Sequence, residues 1–158
     1  MANINFKSMK FMILVSGPSS HGKTQSIVST YRAFHFNKEQ IITNEGSMDL
    51  SESNEIYIKV QHQGKIIGFC SQGDPYTSLS DKLQEFASSQ ECCDIILTAC
   101  RTKGETIDSA FEIAEAEGYE IIQTSTFYLH NQNSNLQHVL NESYAFGLKH
   151  LIETLLNY

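Results

Sequence analysis

The segment 17–24, which reads GPSSHGKT, constrains the fold of this chain more than any other stretch. An apolar run of strand length, residues 10–16, leads directly into it. Apolar residues then recur at the spacing of a helix packed on one side, at Ile27, Val28, Tyr31 and Phe34. The sequence therefore predicts a strand over 10–16, a glycine-containing loop and a helix over about 22–35 in immediate succession.

Two glycines make this loop suited to binding a chain of phosphates. Gly17 allows the backbone to leave the strand sharply, and Gly22 leaves room for successive N–H groups to approach phosphate oxygens. The helix that follows presents the positive end of its dipole to the same point. Lys23 is expected to reach the β- and γ-phosphates, and the Thr24 hydroxyl to bind a Mg²⁺ that keeps several of its waters. The remaining predicted nucleotide contacts are Ser19, Ser20, His21 and Gln25.

The segment fills every fixed position of the pattern G-x-x-x-x-G-K-S/T, and over about residues 10–36 the chain resembles the P-loop NTPase superfamily. The resemblance implies a three-layer α/β/α fold in which ATP or GTP binds with Mg²⁺ at the carboxyl ends of parallel strands. It also implies an acidic residue at the end of a second buried strand, near the metal ion. A β-hairpin that follows the first helix is similar to the arrangement in Ras-like proteins, which would place the second hairpin strand beside the loop.

Strand-like and helix-like segments alternate along the rest of the chain. Residues 37–54 are interpreted as a loop, with a short strand around 41–42 as the alternative. A hairpin is predicted over 55–61 and 66–71, strands over 94–100 and 119–124, and helices over 79–90, 105–117 and 136–156. The spacing of Thr102 and Glu105 predicts a capping box at the start of the helix over 105–117, and Gly118 is expected to end it. The alternation predicts an α/β protein with a mainly parallel sheet of about five strands and one antiparallel edge strand from the hairpin. At 158 residues, we expect one nucleotide-binding domain over 1–158.

Two further side chains follow predicted strands at the edge where ligands bind in parallel sheets. Asp74 comes after the second hairpin strand, where it would complete the Mg²⁺ shell or, beside Pro75, begin a helix. Arg101 follows a buried strand, where it would stabilise charge on the γ-phosphate, be solvated, or pair with Glu105. For activation of water, only Gln72 and Glu105 can be placed near this edge. Lys23, Asp74 and Arg101 are therefore the predicted catalytic residues, and Thr24 and Asp74 the predicted metal ligands.

Charge and composition exclude several classes of protein. A formal net charge of −7 and only two arginines argue against a broad groove for nucleic acid. No apolar run is long enough to cross a membrane, and no export signal is visible, so we expect a cytoplasmic protein. The cysteines form no C-x-x-C pair, and we interpret them as reduced thiols, with the adjacent pair 92–93 as the alternative redox site.

Three functions are compatible with these residues: a Mg²⁺-dependent NTPase that acts as a switch or small motor, a small kinase, and a non-catalytic nucleotide-binding module. The guanine motif N-K-x-D of Ras-like GTPases is missing after 94–100, and two arginines are few for a nucleotide kinase. We therefore favour an NTPase, with ATP preferred over GTP and with a protein partner or a homodimer as further possibilities. The apolar stripe of the last helix is interpreted as core, and a homodimer would explain a stripe wider than one face. The stripe consists of Leu136, Val139, Leu140, Leu148, Leu151, Ile152 and Leu155.

Overall fold

A computed structural model describes residues 8–17, 22–44, 55–71, 79–127, 129–130 and 134–158 of the chain. The described residues form six strands, four α-helices and one short 3₁₀ helix. In chain order these are β1 (Lys10–Ser16), α1 (Lys23–Ala33), the 3₁₀ helix (Lys38–Gln40), β2 (Ile41–Asn44), β3 (Tyr57–His62), β4 (Lys65–Cys70), α2 (Leu79–Ser88), β5 (Ile95–Cys100), α3 (Glu105–Glu117), β6 (Tyr119–Ser125) and α4 (Ser134–Leu155). Every predicted strand and helix is present, and the boundaries differ by a few residues.

The strands form one mixed sheet in the order β2-β3-β4-β5-β1-β6. Strands β4, β5, β1 and β6 are parallel, and β3 is antiparallel to both of its neighbours, β2 and β4. The prediction of an α/β protein with a mostly parallel sheet is thus confirmed. The expected sheet of about five strands with an antiparallel edge is wrong in detail, because β2 pairs along the outer side of β3 and moves it inward.

The second hairpin strand lies one strand away from β1 in the sheet. That strand, β4, pairs with β3 and β5, so β5 lies between it and β1. The reason is burial: all six residues of β5 are buried, and a strand that is apolar on both faces is most stable inside a parallel sheet with helices on both sides. Strand β4 therefore does not pair with β1.

The hairpin itself forms as the sequence predicts. Strands β3 and β4 are joined by Gln63 and Gly64, whose φ angles are 52° and 76°. Two consecutive residues with positive φ are the signature of the turn that best matches the twist of a hairpin, and glycine accepts this conformation at little cost. The local turn chemistry thus sets the register of the two strands.

The side chains of β1 alternate between two apolar cores, one on each face of the sheet. Ile13 and Val15 contribute to the core that contains α1 and α4, whereas Met12 and Leu14 contribute to the core that contains α2 and α3. The helices therefore pack in pairs on opposite faces, which is consistent with a three-layer α/β arrangement. Strand β1 lies at the centre of this packing, and its carboxyl end leads into the loop of 17–24.

The ends of α3 show one correct and one incorrect prediction. The helix ends at Gly118, whose φ of 77° lies in the left-handed region, as expected of a glycine stop. The capping box predicted from Thr102 and Glu105 does not form, because the N-cap is Gly104 and makes no side-chain hydrogen bond. Instead, the Thr106 hydroxyl accepts a hydrogen bond from the backbone N–H of Arg101 at 3.1 Å, which closes the turn after β5.

Helix α4 is only partly explained as core. Its residues Leu148 and Ile152 are buried against the sheet, as predicted. Leu136 and Val139 are 46% and 59% exposed, so assigning them to the core is wrong, and Phe146 adds to the exposed apolar surface. The stripe is therefore wider than the face that packs on the sheet.

Two expectations from composition concern the whole chain. In the part that the structure describes, no helix is both long and apolar enough to cross a membrane. The four cysteines are free thiols, in agreement with the interpretation from their spacing. Cys93 is buried, and its burial raises the pKa of the thiol well above the ordinary value, so it is protonated at neutral pH.

Candidate functional site

The carboxyl ends of four parallel strands meet at one edge of the sheet. Strands β1, β4, β5 and β6 run in the same direction, so the residues that follow them lie along this edge. These residues are Gly17, Ser71, Arg101 and Thr126. Three of the positions had been predicted to form a ligand-binding edge, and Thr126 had not. In parallel sheets this edge is where ligands bind.

Residues 17–24, called the phosphate loop after their predicted role, are described at both ends of the segment. Gly17 follows β1, and Gly22 is the N-cap of α1 with φ of 81° and ψ of 12°. Residues 18–21, and with them the predicted contacts Ser19, Ser20 and His21, lie outside the described residues. The carbonyl oxygen of Gly22 accepts hydrogen bonds from the Ser26 backbone N–H at 2.9 Å and from the Ser26 hydroxyl at 2.7 Å. The first turn of α1 is thus held closed, and its N-terminal N–H groups have no helical acceptor.

Lys23 extends from the start of α1 back to the end of β1. Its side chain is buried, with 8% of the residue exposed, and Nζ donates a hydrogen bond to the Gly17 carbonyl oxygen at 2.8 Å. Burial of an ammonium group is unfavourable unless hydrogen-bond acceptors or a negative charge compensate for the lost water. The lysine therefore places a positive charge across the base of the phosphate loop.

Cys100 lies next to this charge without neutralising it. Its partner across the sheet is Ser16, the last residue of β1, and the cysteine is fully buried. Burial raises the pKa of the Cys100 thiol to about 11, although the nearby Lys23 ammonium acts in the opposite direction. The thiol is consequently protonated at neutral pH, and it is neither a thiolate nucleophile nor a counter-ion for Lys23.

Thr24 connects the phosphate loop to the end of β4. The Thr24 hydroxyl donates a long hydrogen bond, 3.4 Å, to the carbonyl oxygen of Ser71, which directly follows β4. The contact forms because α1 crosses the sheet from the end of β1 towards β4, over the intervening β5. The end of the second hairpin strand therefore lies near the loop, as predicted. The two are brought together by α1, which carries Thr24, and not by pairing of β4 with β1.

The atoms around Thr24 are suited to a hard cation. A threonine hydroxyl and a backbone carbonyl are oxygen donors of the kind that Mg²⁺ prefers, and Mg²⁺ in phosphate sites keeps several waters. No group of three or more His, Cys, Asp or Glu side chains that could hold a metal ion occurs among the residues the structure describes. Asp74, the predicted second ligand, lies outside those residues. The oxygen pair of Thr24 and Ser71 thus fits Mg²⁺ bound mainly by water and phosphate.

Arg101 lies at the end of the strand between β1 and β4. The residue before it, Cys100, pairs with Ser16, so Arg101 follows β5 at the level where Gly17 follows β1. Its backbone is anchored by Thr106 of α3, and its side chain is half-buried. Glu105 and the predicted nucleotide contact Gln25 are exposed. The structure therefore places Arg101 beside Gly17 at the same edge of the sheet.

The last strand and helix pack against both glycines of the phosphate loop, which the sequence did not predict. A Cβ on Gly17 would lie 3.2 Å from the Thr126 hydroxyl, just after β6. A Cβ on Gly22 would lie 2.7 Å from Oδ1 and 2.9 Å from Nδ2 of Asn141, on α4. The sequence carried one indication of this contact, a polar residue within the apolar stripe of α4. Asn141 precedes Leu148 by two turns and is itself buried.

Replacing Ser71 with alanine should lower stability without removing the oxygen that faces Thr24. The Ser71 hydroxyl oxygen accepts a hydrogen bond from the Ile56 backbone N–H at 2.7 Å, and Ser71 is 1% exposed. An unsatisfied buried N–H costs about 1–3 kcal/mol, which corresponds to a melting temperature lower by about 5 °C. Urea unfolding of Ser71→Ala beside the exposed control Ser80→Ala measures the difference, and equal stabilities would contradict this role of the hydroxyl.

The chemistry of this site follows from the groups that the fold brings together. Comparisons with protein-family models, with curated proteins and with solved structures found no match to the chain. The geometry offers a buried ammonium, a helix N-terminus and two oxygen donors at one edge of a parallel sheet. These groups suit a polyphosphate and a hard cation.

Proposed function

We propose that the chain is a P-loop protein that binds ATP or GTP with Mg²⁺ and hydrolyses it. The observation that carries the proposal is the position of Lys23, whose buried ammonium group crosses the base of the phosphate loop to the Gly17 carbonyl oxygen. A phosphate oxygen is a stronger acceptor than a neutral carbonyl, because hydrogen bonds between charged groups are roughly twice as strong as neutral ones. Lys23 would therefore exchange this contact for the β- and γ-phosphates.

The other residues of the loop have distinct roles in this proposal. Gly17 and Gly22 keep the backbone close to the phosphates, and the N–H groups of Ser19, Ser20 and His21 surround them. The first turn of α1, including Gln25, adds the N–H groups and the positive dipole end of the helix N-terminus. The Thr24 hydroxyl would hold Mg²⁺, and Asp74 would contribute to its water shell. When bound, Mg²⁺ neutralises charge on the β- and γ-phosphate oxygens.

The arginines of the chain bear on the reaction at the γ-phosphate, and their small number favours hydrolysis over transfer to a charged acceptor. Arg101 follows β5 beside the phosphate loop, where a guanidinium would stabilise the charge that develops on the γ-phosphate. A kinase for a charged acceptor needs further cations, and the chain has only two arginines, Arg32 and Arg101. We therefore propose a single-domain cytoplasmic NTPase with ATP preferred, in which the nucleotide state controls contacts with a protein partner.

Mg²⁺ with ATP should raise the melting temperature of the purified protein. At a free ligand concentration of about 100 times Kd, binding contributes roughly 2.7 kcal/mol, or a shift of about 5–10 °C for a chain of this length. The measurement compares ATP, GTP, ADP and GDP, each with Mg²⁺ and with a chelator. AMP is the control, because it lacks the β- and γ-phosphates. Absence of any shift at millimolar nucleotide would contradict nucleotide binding by this site.

Release of inorganic phosphate separates the hydrolase from the other functions. A protein that is stabilised by Mg²⁺ and ATP and releases phosphate without an added acceptor behaves as proposed. A protein that is stabilised but releases no phosphate is a binding module or a kinase, which would contradict the hydrolase assignment while leaving the phosphate site intact. The Arg101→Ala variant should then keep the thermal shift and lose most of the phosphate release, because its proposed role is confined to the transfer step.

A further inference from the structure

Asn141 lies against the backbone of the phosphate loop at the point where α1 begins. The residue belongs to α4 and is 8% exposed. Both atoms of its amide group lie within 3 Å of the position that a Cβ on Gly22 would occupy. Since Gly22 also has a positive φ of 81°, the backbone there is determined by two features at once, a left-handed conformation and contact with α4.

Gln137 fixes the orientation of this amide. Its Nε2 donates to the backbone carbonyl of Phe127 at 3.0 Å and to Asn141 Oδ1 at 2.9 Å. Because a backbone carbonyl only accepts hydrogen bonds, the first contact identifies Nε2, and the second then identifies Oδ1 of Asn141. The contacts therefore lead from Phe127, two residues after β6, through Gln137 and Asn141 of α4 to Gly22.

The amide of Asn141 differs in position from a second polar contact between α1 and α4. Helices α1 and α4 also meet through Ser29 and Glu142, where the Ser29 hydroxyl donates to Oε1 of Glu142 at 3.0 Å. That contact lies about two turns along α1 from the loop, so it joins the helices without touching Gly22. Asn141, by contrast, brings a hydrogen-bonded polar group of α4 to the start of α1.

We propose that Asn141, held by Gln137, is a positioning residue that keeps the Gly22 end of the phosphate loop in its phosphate-binding conformation. The inference rests on the proposed function of the loop. It adds that phosphate binding also depends on residues of α4. A loop that must order its backbone when ligand binds has a lower affinity than one already ordered, because the ordering entropy is subtracted from the binding free energy. The effect concerns the phosphates and is therefore the same for every base.

Replacing Asn141 with alanine should raise the Kd for Mg²⁺ with ATP about tenfold, the equivalent of about 1.4 kcal/mol. The Kd for inorganic tripolyphosphate with Mg²⁺ should rise by the same factor, since this ligand carries the phosphates without a base. Gln137→Ala should give a smaller loss of about threefold, because the amide stays but loses its tether. Calorimetry of the full chain at 15 °C measures these constants well below the unfolding transition.

Ser29→Ala is the matched control, because it weakens the same helix pair away from the loop. Its Kd should equal that of the wild type, even where its melting temperature falls. The double variant of Asn141 and Gln137 should bind no more weakly than Asn141→Ala alone, because the two residues act in sequence. Where Asn141→Ala does not fold, Gln137→Ala and Gln137→Leu decide the question, since Gln137 is only half-buried.

The outcomes distinguish this inference from the proposed function. Wild-type protein that binds neither ATP nor tripolyphosphate contradicts both. Wild-type protein that binds while Asn141 and Gln137 variants bind equally well contradicts only the positioning role and leaves a structural contact. A loss for ATP without a loss for tripolyphosphate also overturns it, because the residue would then act on the nucleoside.

Discussion

Replacing Lys23 with methionine should raise the Kd for Mg²⁺ with ATP at least about 100-fold, the equivalent of about 2.7 kcal/mol, without lowering the stability of the free protein. Methionine has nearly the length of lysine and no charge. The affinity falls because the loop loses its ammonium group, which lies within the base of the site. The stability is maintained or rises, because replacing a buried charge with an apolar side chain removes a desolvation cost.

Opposite signs of the two effects make this prediction specific. A residue with a purely structural role loses stability and affinity together, whereas Lys23→Met should bind poorly while unfolding at an equal or higher temperature. Lys103→Met is the matched control, since Lys103 is exposed in the turn after β5 and its replacement changes the net charge equally. Titration calorimetry and thermal unfolding of both variants provide the comparison. Unchanged affinity in Lys23→Met, or an equal loss in Lys103→Met, would contradict the proposed site.

Replacing Gly22 with alanine should destabilise the protein and abolish its response to nucleotide. The φ of 81° costs an L-residue roughly 1–2 kcal/mol, and a Cβ would lie 2.7 Å from Asn141 Oδ1, which adds a crowding cost of about 1–3 kcal/mol. A total of about 3 kcal/mol lowers the melting temperature by roughly 6–12 °C. The nucleotide-induced shift should disappear, because the start of α1 is displaced from the phosphates.

Gly118→Ala separates the two causes of this effect. Gly118 has φ of 77°, nearly that of Gly22, and a Cβ there would meet no atom within 4 Å. Its loss of stability therefore measures the conformational cost alone, and the excess in Gly22→Ala measures the contact with Asn141. Adding Asn141→Ala to Gly22→Ala should recover part of this excess. Equal losses of stability in the two glycine variants would mean that the Asn141 side chain moves aside without a cost in free energy.

The local elements were predictable because their signals come from neighbouring residues. The apolar run of β1, the helical spacing in α1 and the Gln63–Gly64 turn each depend on residues close in sequence, and each was found where expected. Predictions that required a choice between competing hydrogen-bond partners were less accurate. The capping box at Thr102 was plausible locally, but the hydroxyl of Thr106 binds the backbone of Arg101 and closes the turn in another way.

The strand order was not predictable, because it depends on the burial of whole strands. The hairpin precedes β5 in the chain, and neither segment carries a signal that shows which strand pairs with β1. The fully buried β5 comes later in the sequence and nevertheless pairs with β1. Periodicity identifies an apolar strand but does not say which strand it pairs with, since several apolar partners satisfy the same pattern.

By itself, the sequence determined the chemistry of the phosphate loop: two glycines, a lysine and a threonine at the start of a helix. These properties are local, because the order of a few residues decides which backbone conformations and side chains occur together. Only the tertiary structure decided the partners of these residues: Gly17 for Lys23, Ser71 for Thr24 and Asn141 for Gly22. Ser71 and Asn141 come from distant parts of the chain, and their proximity results from packing α1 across the sheet and α4 beside α1.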